Sequence, residues 1–435
     1  MATPGVGMGQ MVSMAGSKVA SADKGLLRRA WSTKITLESL QYDSYMNYPA
    51  LTGEIKAAND GKFTSMPGNI IQKVTAEGSK GARSVTMQYT LALSGTVYEG
   101  MGVDDAMGHE EDVAMLYCNA YSGDWGKGVT GQNYGVAFRE KNPLKIFQLS
   151  KPLLAQYVGE LMGKYKREAL CQSVSHNIVA AGIGIDQMTN FNTYVVGNAV
   201  PFTKMSSYTS YSLYIAAVIA KVGNIDAGDV LTVKTFIALA SAAKKANIRP
   251  VKWEGRELYI LNINDDEFMS QFDPTNTGGI AKYWVEAAAL GSGKLNEVIP
   301  AANFVIANSI VICSDLRAPQ CKVDSGDLAF SYMLPGRNDQ REVLTGEFYN
   351  VGILLGEDAL FELETEAPHY EQQSDVYNKY TNTAQWGATG FQTPLWMNDD
   401  VTFATGHSTP ITNATKTRQE SSMLVIFAAN GATYT

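Results

Sequence analysis

Residues Ser150–Ala181 read SKPLLAQYVGELMGKYKREALCQSVSHNIVAA, the one segment of the chain whose pattern sustains a long helix. Leu154, Val158, Leu161, Tyr165, Ala169 and Leu170 recur at three- and four-residue spacing, which puts them on one side of a 3.6-residue helix. Ser150 offers N-cap chemistry, and Pro152 falls in the first turn, where a missing N–H does no harm. Gly182 and Gly184 supply the stop. At ~1.5 Å per residue the rod is about 46 Å long, more than most helices in compact domains reach. An ordinary core helix would look the same, so its flanks decide what it means.

On the N-terminal side, Val85, Met87, Tyr89, Leu91 and Leu93 alternate with Thr86, Gln88, Thr90 and Ala92, the cleanest period-2 pattern in the chain. A Gly-rich turn region and the acidic run Asp104, Asp105, Glu110, Glu111 and Asp112 follow. The chain then returns through Gly123, Gly126, Gly128, Gly131 and Gly135 to Phe138. A two-stranded excursion of this composition cannot make its own core and is expected to lie on another chain. Upstream, Met1–Ala22 is small-residue and Met-rich with no helical or strand period, which predicts a tail held by something outside its own domain. Lys24, Arg28 and Arg29 before Trp31 read either as a solvated helix end or as a contact with an acidic partner surface. From Ile35 to Thr75, tyrosines alternate with turn signals, as in a connecting arm.

Beyond the long helix the pattern changes. Val230–Ala246, opened by Thr232, predicts an amphipathic helix through Val233, Phe236, Ile237 and Leu239. Glu257–Ile263 predicts a buried strand, Ala281–Leu290 a further helix, and Asn303–Cys313 a central strand. That alternation over 186–329 suits an α/β unit. The last hundred residues return to β character at Asn350–Leu355, Ala359–Glu364, Val401–Thr405 and Met423–Ala428. Between them lies a polar and aromatic tract with Tyr370, Tyr377, Tyr380, Trp386 and Trp396.

Composition narrows the function classes. Hydrophobic residues are 45% of the 435, but charged residues are only 18% against about 25% in typical proteins, and Tyr (22) and Met (17) are plentiful. Charge depletion with aromatic and Met enrichment suits surfaces buried against other chains. A net charge of −8 argues against tight nucleic-acid binding over the whole surface. Cys118, Cys171, Cys313 and Cys321 are too sparse for a disulfide scaffold and read as reduced core residues of a soluble chain made in the cytoplasm. No run is apolar enough to span a membrane and no signal peptide is visible.

Catalytic patterns fail on inspection. Gly291-Ser292-Gly293-Lys294 lacks the first Gly of a phosphate loop, because Ala288 stands there, and has Leu295 where Ser or Thr belongs. His109, His176, His369 and His407 lie in four different segments, which leaves little for acid–base or metal chemistry. We therefore expect no enzyme activity, cofactor or metal. The acidic run 104–112 lacks calcium-loop offsets. The aromatic tract 370–396 reads either as an interface or as a glycan-stacking surface, the latter with Asp399 and Asp400 as carboxylates of a hydrolase.

The order of tail, arm with hairpin, long helix, inserted α/β unit and β-rich return resembles the Hong Kong 97-type fold of tailed-phage major capsid proteins. The local text looks closer to the coat proteins of N4-like podoviruses. The matching stretches are Leu93-Ser94-Gly95 closing a strand, Gly108-His109-Glu110-Glu111 in an acidic loop, and the spine helix from Ser150. Further on they are Tyr259–Phe272 with Trp284 and the segment through Ile312, then Leu354-Leu355-Gly356-Glu357-Asp358-Ala359-Leu360. They cover most of residues 85–365. The resemblance implies an α+β fold with an N-terminal arm (1–60), the first part of a peripheral domain (61–84), an extended β-hairpin loop (85–140), a spine helix (141–185), an axial domain (186–329) and a β-rich return with a C-terminal strand (330–435).

It implies hexamers and pentamers of an icosahedral shell around double-stranded DNA, made in the host bacterial cytoplasm. Portal and decoration or scaffolding proteins would be further partners, and no membrane is involved. Inter-subunit contacts would come from Val85, Met87, Tyr89, Leu91, Leu93, Glu110, Glu111 and Lys127 of the hairpin and from Lys24, Arg28, Arg29 and Trp31 of the arm. Lys151, Lys164 and Lys166 would touch DNA weakly. A bacterial nanocompartment shell shares this fold and is the nearest alternative.

Overall fold

The computed structural model describes residues 52–56, 70–75, 84–90, 115–132, 146–172, 175–180, 192–204, 207–208, 211–253, 256–272, 278–280, 304–307, 309–336, 340–342, 347–374, 380–394, 396–397, 418–419 and 422–430. In chain order its elements are β1 (Thr52–Lys56), β2 (Ile71–Thr75), β3 (Ser84–Thr90), β4 (Met115–Tyr121), β5 (Gly123–Gln132), α1 (Ile146–Gln172), α2 (His176–Ala180), β6 (Asn192–Val195), β7 (Phe202–Lys204), α3 (Tyr211–Val222), α4 (Val233–Lys245), β8 (Val251–Trp253), β9 (Arg256–Asn264) and α5 (Asp265–Ser270). There follow β10 (Phe304–Ala307), β11 (Ile310–Asp315), β12 (Gln320–Asp324), β13 (Asp327–Ser331), β14 (Tyr349–Leu355), β15 (Leu360–Ser374), β16 (Tyr380–Gln392), β17 (Trp396–Met397), β18 (Arg418–Gln419) and β19 (Met423–Ala429).

Among these residues the strands form three sheets. The largest runs β10-β11-β9-β14-β19-β6-β7, with β8 on β9 and the β12–β13 hairpin on β14. Its central strands are apolar along their whole length because both faces are covered; all seven residues of β19, MLVIFAA, are buried. On one face Ile260, Val311, Val351, Ile353, Val425 and Phe427 meet Tyr214, Val218 and Val222 of α3 and Ala169, Leu170 and Cys171 of α1. On the other, Tyr259, Leu261, Ile263, Ile312, Leu354 and Ile426 meet Phe236, Leu239 and Ala243 of α4 and Phe268 of α5. The period-2 alternation of each strand sorts its residues between these two cores.

A second, five-stranded sheet runs β1-β2-β15-β16-β5. A small four-stranded sheet runs β18-β17-β4-β3. The α1 helix lies between the five-stranded sheet and the largest one.

Several expectations are corrected here. The long helix starts at Ile146, so Ser150 is not its N-cap and Pro152 lies inside it. Ile146-Phe147-Gln148-Leu149 carries no breaker, so the helix runs on upstream of Ser150. It stops at Gln172, short of the glycines, because the next residues bond the five-stranded sheet instead: Ser175 N–H donates to Phe391 O (3.2 Å) and Asn177 Nδ2 to Thr389 O (2.7 Å). Asn303–Cys313 is not one central strand but holds the antiparallel pair β10 and β11, in register from Phe304↔Cys313 to Ala307↔Ile310. Segment 330–435 divides between sheets: β14 and β19 sit at the centre of the largest sheet, and β15 and β16 belong to the five-stranded one. The helix α3 was not foreseen at all. Helix α4 matches expectation and is capped as read, with Thr232 and Thr235 exchanging side-chain to backbone bonds in a capping box. The expected helix at 281–290 and strand at 401–405 lie outside the described residues.

Candidate assembly surfaces

The spine helix α1 is held by charges as much as by apolar contacts. Leu154, Val158, Ala169 and Leu170 are buried, while Leu161 and Tyr165 are half-buried. Glu160, Lys166, Arg167 and Glu168 are buried as well, the first three with partners from distant segments and Glu168 with Lys164 and the His176 N–H (3.1 Å). Arg167 forks onto Asp315 at the end of β11, Nε to Oδ2 at 2.9 Å and Nη2 to Oδ1 at 2.7 Å. Lys166 pairs with Glu362 at 3.6 Å and lies over the Phe391 ring at 5.4 Å. Glu160 accepts from Arg317 at 2.7 Å, and Lys164 bridges Glu168 (3.4 Å) and Glu342. Burial raises the Glu168 carboxyl above its usual range, against the pull of Lys164. Lys164 and Lys166 are therefore committed to intramolecular pairs and are not the loose DNA contacts expected from sequence.

The hairpin is rooted firmly. Strands β3 and β4 pair antiparallel in unbroken register from Ser84↔Tyr121 to Thr90↔Met115. At their base the chain passes Ser122, whose Oγ lies 2.9 Å from Thr365 Oγ1, and enters β5. Here β16 comes so close that a Cβ at Gly390 would stand 1.8 Å from Tyr121 O, and α2 so close that one at Gly123 would stand 2.7 Å from Asn177 O. Only glycine fits such approaches.

Of the expected contact residues, Val85, Met87 and Tyr89 lie on β3, with Val85 half-buried. Lys127 is not in the hairpin ladder. It sits on β5, pairs with Gln385, and its ammonium lies 4.5 Å above the Tyr157 ring of α1. Leu91, Leu93, Glu110, Glu111, Lys24, Arg28, Arg29 and Trp31 lie outside the described residues.

One surface was not legible in the sequence. In the five-stranded sheet, residues directly opposite each other share a face. Three rows run across β15, β16 and β5: Glu366, Ala388 and Asp124; His369, Trp386 and Gly126; Glu371, Ala384 and Gly128. The opposite face, with Tyr370, Gln385 and Trp125, is buried toward α1. At the centre of the outer face Trp386 is 40% exposed, beside the His369 ring (centroids 4.4 Å). Exposed carboxylates surround it at Glu366, Glu371 and Asp124, while Gly126 and Gly128 leave the flank toward β5 without side chains. Glu366 is 3.5 Å from His369 Nδ1. The irregular register of β15 around Glu366, which a bulge produces, hides this alignment from any simple spacing rule. Among the described residues no three His, Cys, Asp or Glu side chains come together to hold a metal ion.

Comparison with solved structures places the architecture. A capsid chain of cyanophage Pam1 superposes at a TM-score of 0.54, covering 88% of this chain and 92% of that one at 15% identity. The capsid of Ralstonia phage GP4 gives 0.55, with 85% and 90% covered at 12% identity. The head structure of Helicobacter pylori bacteriophage KHP40 gives 0.53, with 88% and 91% covered at 11% identity. This chain has the fold of a phage capsid protein. The α+β architecture expected from the sequence is thereby established. At such low identity the likeness speaks for the fold alone, and no protein-family model and no curated protein matches the sequence.

Proposed function

We propose that the chain is a major capsid protein of the Hong Kong 97 type, allied to the N4-like coat proteins. It assembles into the hexamers and pentamers of an icosahedral shell around double-stranded DNA, with portal and scaffolding or decoration proteins as partners. The observation that carries this reading is the coverage: some nine-tenths of each of three phage capsid chains aligns with nearly as much of this one. Low charge and abundant Tyr and Met fit a subunit that buries several faces against copies of itself. The hairpin β3–β4, rooted at Gly390, serves as the arm that reaches a neighbour, and shells need no catalysis. Tyr370 is buried toward α1 while Trp386 faces the other way, so these two do not form one stacking platform for a glycan.

The test is the particle itself. Light scattering and negative-stain electron microscopy of the purified full-length protein at two salt concentrations should find closed shells, or capsomers that convert to them. A strict monomer of 47.1 kDa under every condition, scaffold included, contradicts the proposal. Replacing Tyr89 and Leu91 together with Asp should abolish shells and leave a folded, soluble subunit.

A further inference from the structure

We propose that the outer face of the five-stranded sheet around Trp386 receives the basic segment Lys24–Trp31 of a second copy of this chain. The contact rests on the assembly reading above and names one interface within it.

The surface has a chemistry that asks for a particular partner. Its centre is an exposed indole, and three of the positions around it carry carboxylates, Glu366, Glu371 and Asp124. A guanidinium stacks on an indole face and forks onto carboxylates, so arginine satisfies both features at once. Glycines at 126 and 128 leave a floor on which a flat apolar side chain can lie beside Trp386. The Tyr121 end of β4 meets this face at Gly390, while Trp386 is 40% exposed.

The complementary charge is in the same chain. Residues 1–37 hold five basic residues, Lys18, Lys24, Arg28, Arg29 and Lys34, against the single acid Asp23, in a chain whose net charge is −8. Within this stretch, Lys24-Gly25-Leu26-Leu27-Arg28-Arg29-Ala30-Trp31 brings two arginines and a tryptophan together. Topology favours a second copy. The strand that follows this segment in the chain, β1, is the edge of the sheet opposite β5, whereas Trp386 lies on β16 beside β5. A head-to-tail contact of this kind, repeated around an axis, closes a ring.

The experiment uses full-length chains, half of them labelled with nitrogen-15, mixed unfolded and allowed to assemble together. A carbodiimide then joins neighbouring carboxylates and amines without a spacer, and mass spectrometry reads the linked peptides. The expected result is Lys24 joined to Glu366, Glu371 or Asp124, with mixed-isotope pairs as abundant as single-isotope ones. Glu366→Lys with Glu371→Lys should remove the links from Lys24 to these two positions and weaken association by about tenfold or more, and adding Arg28→Glu with Arg29→Glu should restore association, with new links running from positions 366 and 371 to positions 28 and 29. Trp386→Ala, at an exposed position, should weaken association while leaving the circular dichroism of the subunit unchanged. Oligomers in which Lys24 links elsewhere, or links only within one isotope, overturn this contact and leave the capsid reading standing. So do oligomers in which a glycan quenches Trp386 with no Lys24 link formed. A chain that never self-associates overturns both.

Discussion

Arg167 and Asp315 show how much a single pair can hold in place. Both are nearly excluded from solvent, and their two hydrogen bonds tie the spine helix to the end of β11. Arg167→Met would leave the Asp315 carboxylate buried with its fork removed, at a cost of roughly 3–5 kcal/mol in urea unfolding. Arg167→Met with Asp315→Leu should recover much of that loss, since removing both charges also removes the desolvation penalty. Glu267 is a different case. It is buried at the start of α5, and burial pushes its carboxyl from 4.5 up to about 8, with Asp266 adding to the rise and the Asn350 amide opposing it. A raised pKa means that the native state holds a proton the unfolded chain has released. Stability is therefore fully present below about pH 4.5 and is lost as pH climbs toward 8, by an amount on the order of a few kcal/mol. Glu267→Gln keeps the neutral form and should flatten that decline in denaturation measured from pH 5 to 9. A wild-type profile flat across that range would contradict the assignment.

At the scale of elements, the approach of β16 to the end of β4 is a tight joint between the hairpin and the five-stranded sheet. Gly390→Ala puts a methyl into the Tyr121 carbonyl and should destabilise by roughly 1–3 kcal/mol or more. Gly128→Ala, whose nearest atoms would be 3.8 Å away, should change the urea midpoint little. Thr232→Ala removes the cap of α4 and should cost about 1 kcal/mol by the same assay. Elements such as β9, β14 and β19 were legible in the sequence because burial on both faces leaves continuous runs of Leu, Ile and Val. The α4 cap was legible because its chemistry is local. The β15–β16 hairpin was not, since the inward residues of β16 include Thr383, Gln385 and Thr389, polar groups that draw no apolar stripe. The end of α1 was missed for a related reason. Ser175 and Asn177 stop it by bonding Phe391 and Thr389, residues more than two hundred positions away. The Trp386 surface was hidden most completely, because three strands and a bulge must be in register before its carboxylates become neighbours.

For the molecule as a whole, the two larger sheets share one spine helix and are joined directly by the β14 to β15 turn. There Gly356 N–H donates to Ser422 O and Glu357 N–H to Arg249 O, both at 2.9 Å, and Asp358 adopts a left-handed φ of 58° with Gln72 and Arg249 on its carboxylate. Native-state hydrogen exchange should therefore find the amides of β14 and β19 among the slowest, opening only with the whole subunit, and those of β3 exchanging earlier. Rapid exchange in β19 would mean that the sheet is not the cooperative unit described. The place of β19 has one more consequence. It is translated after every other strand of its sheet, yet it lies in the middle, between β14 and β6. Until the ribosome has released residue 429, the two halves of the sheet have nothing to zip onto. A nascent chain cut short anywhere before residue 423 lacks the strand that joins β14 to β6 and cannot complete this sheet. Truncated products would then be sorted out at the folding step, with folding itself acting as the proofreader.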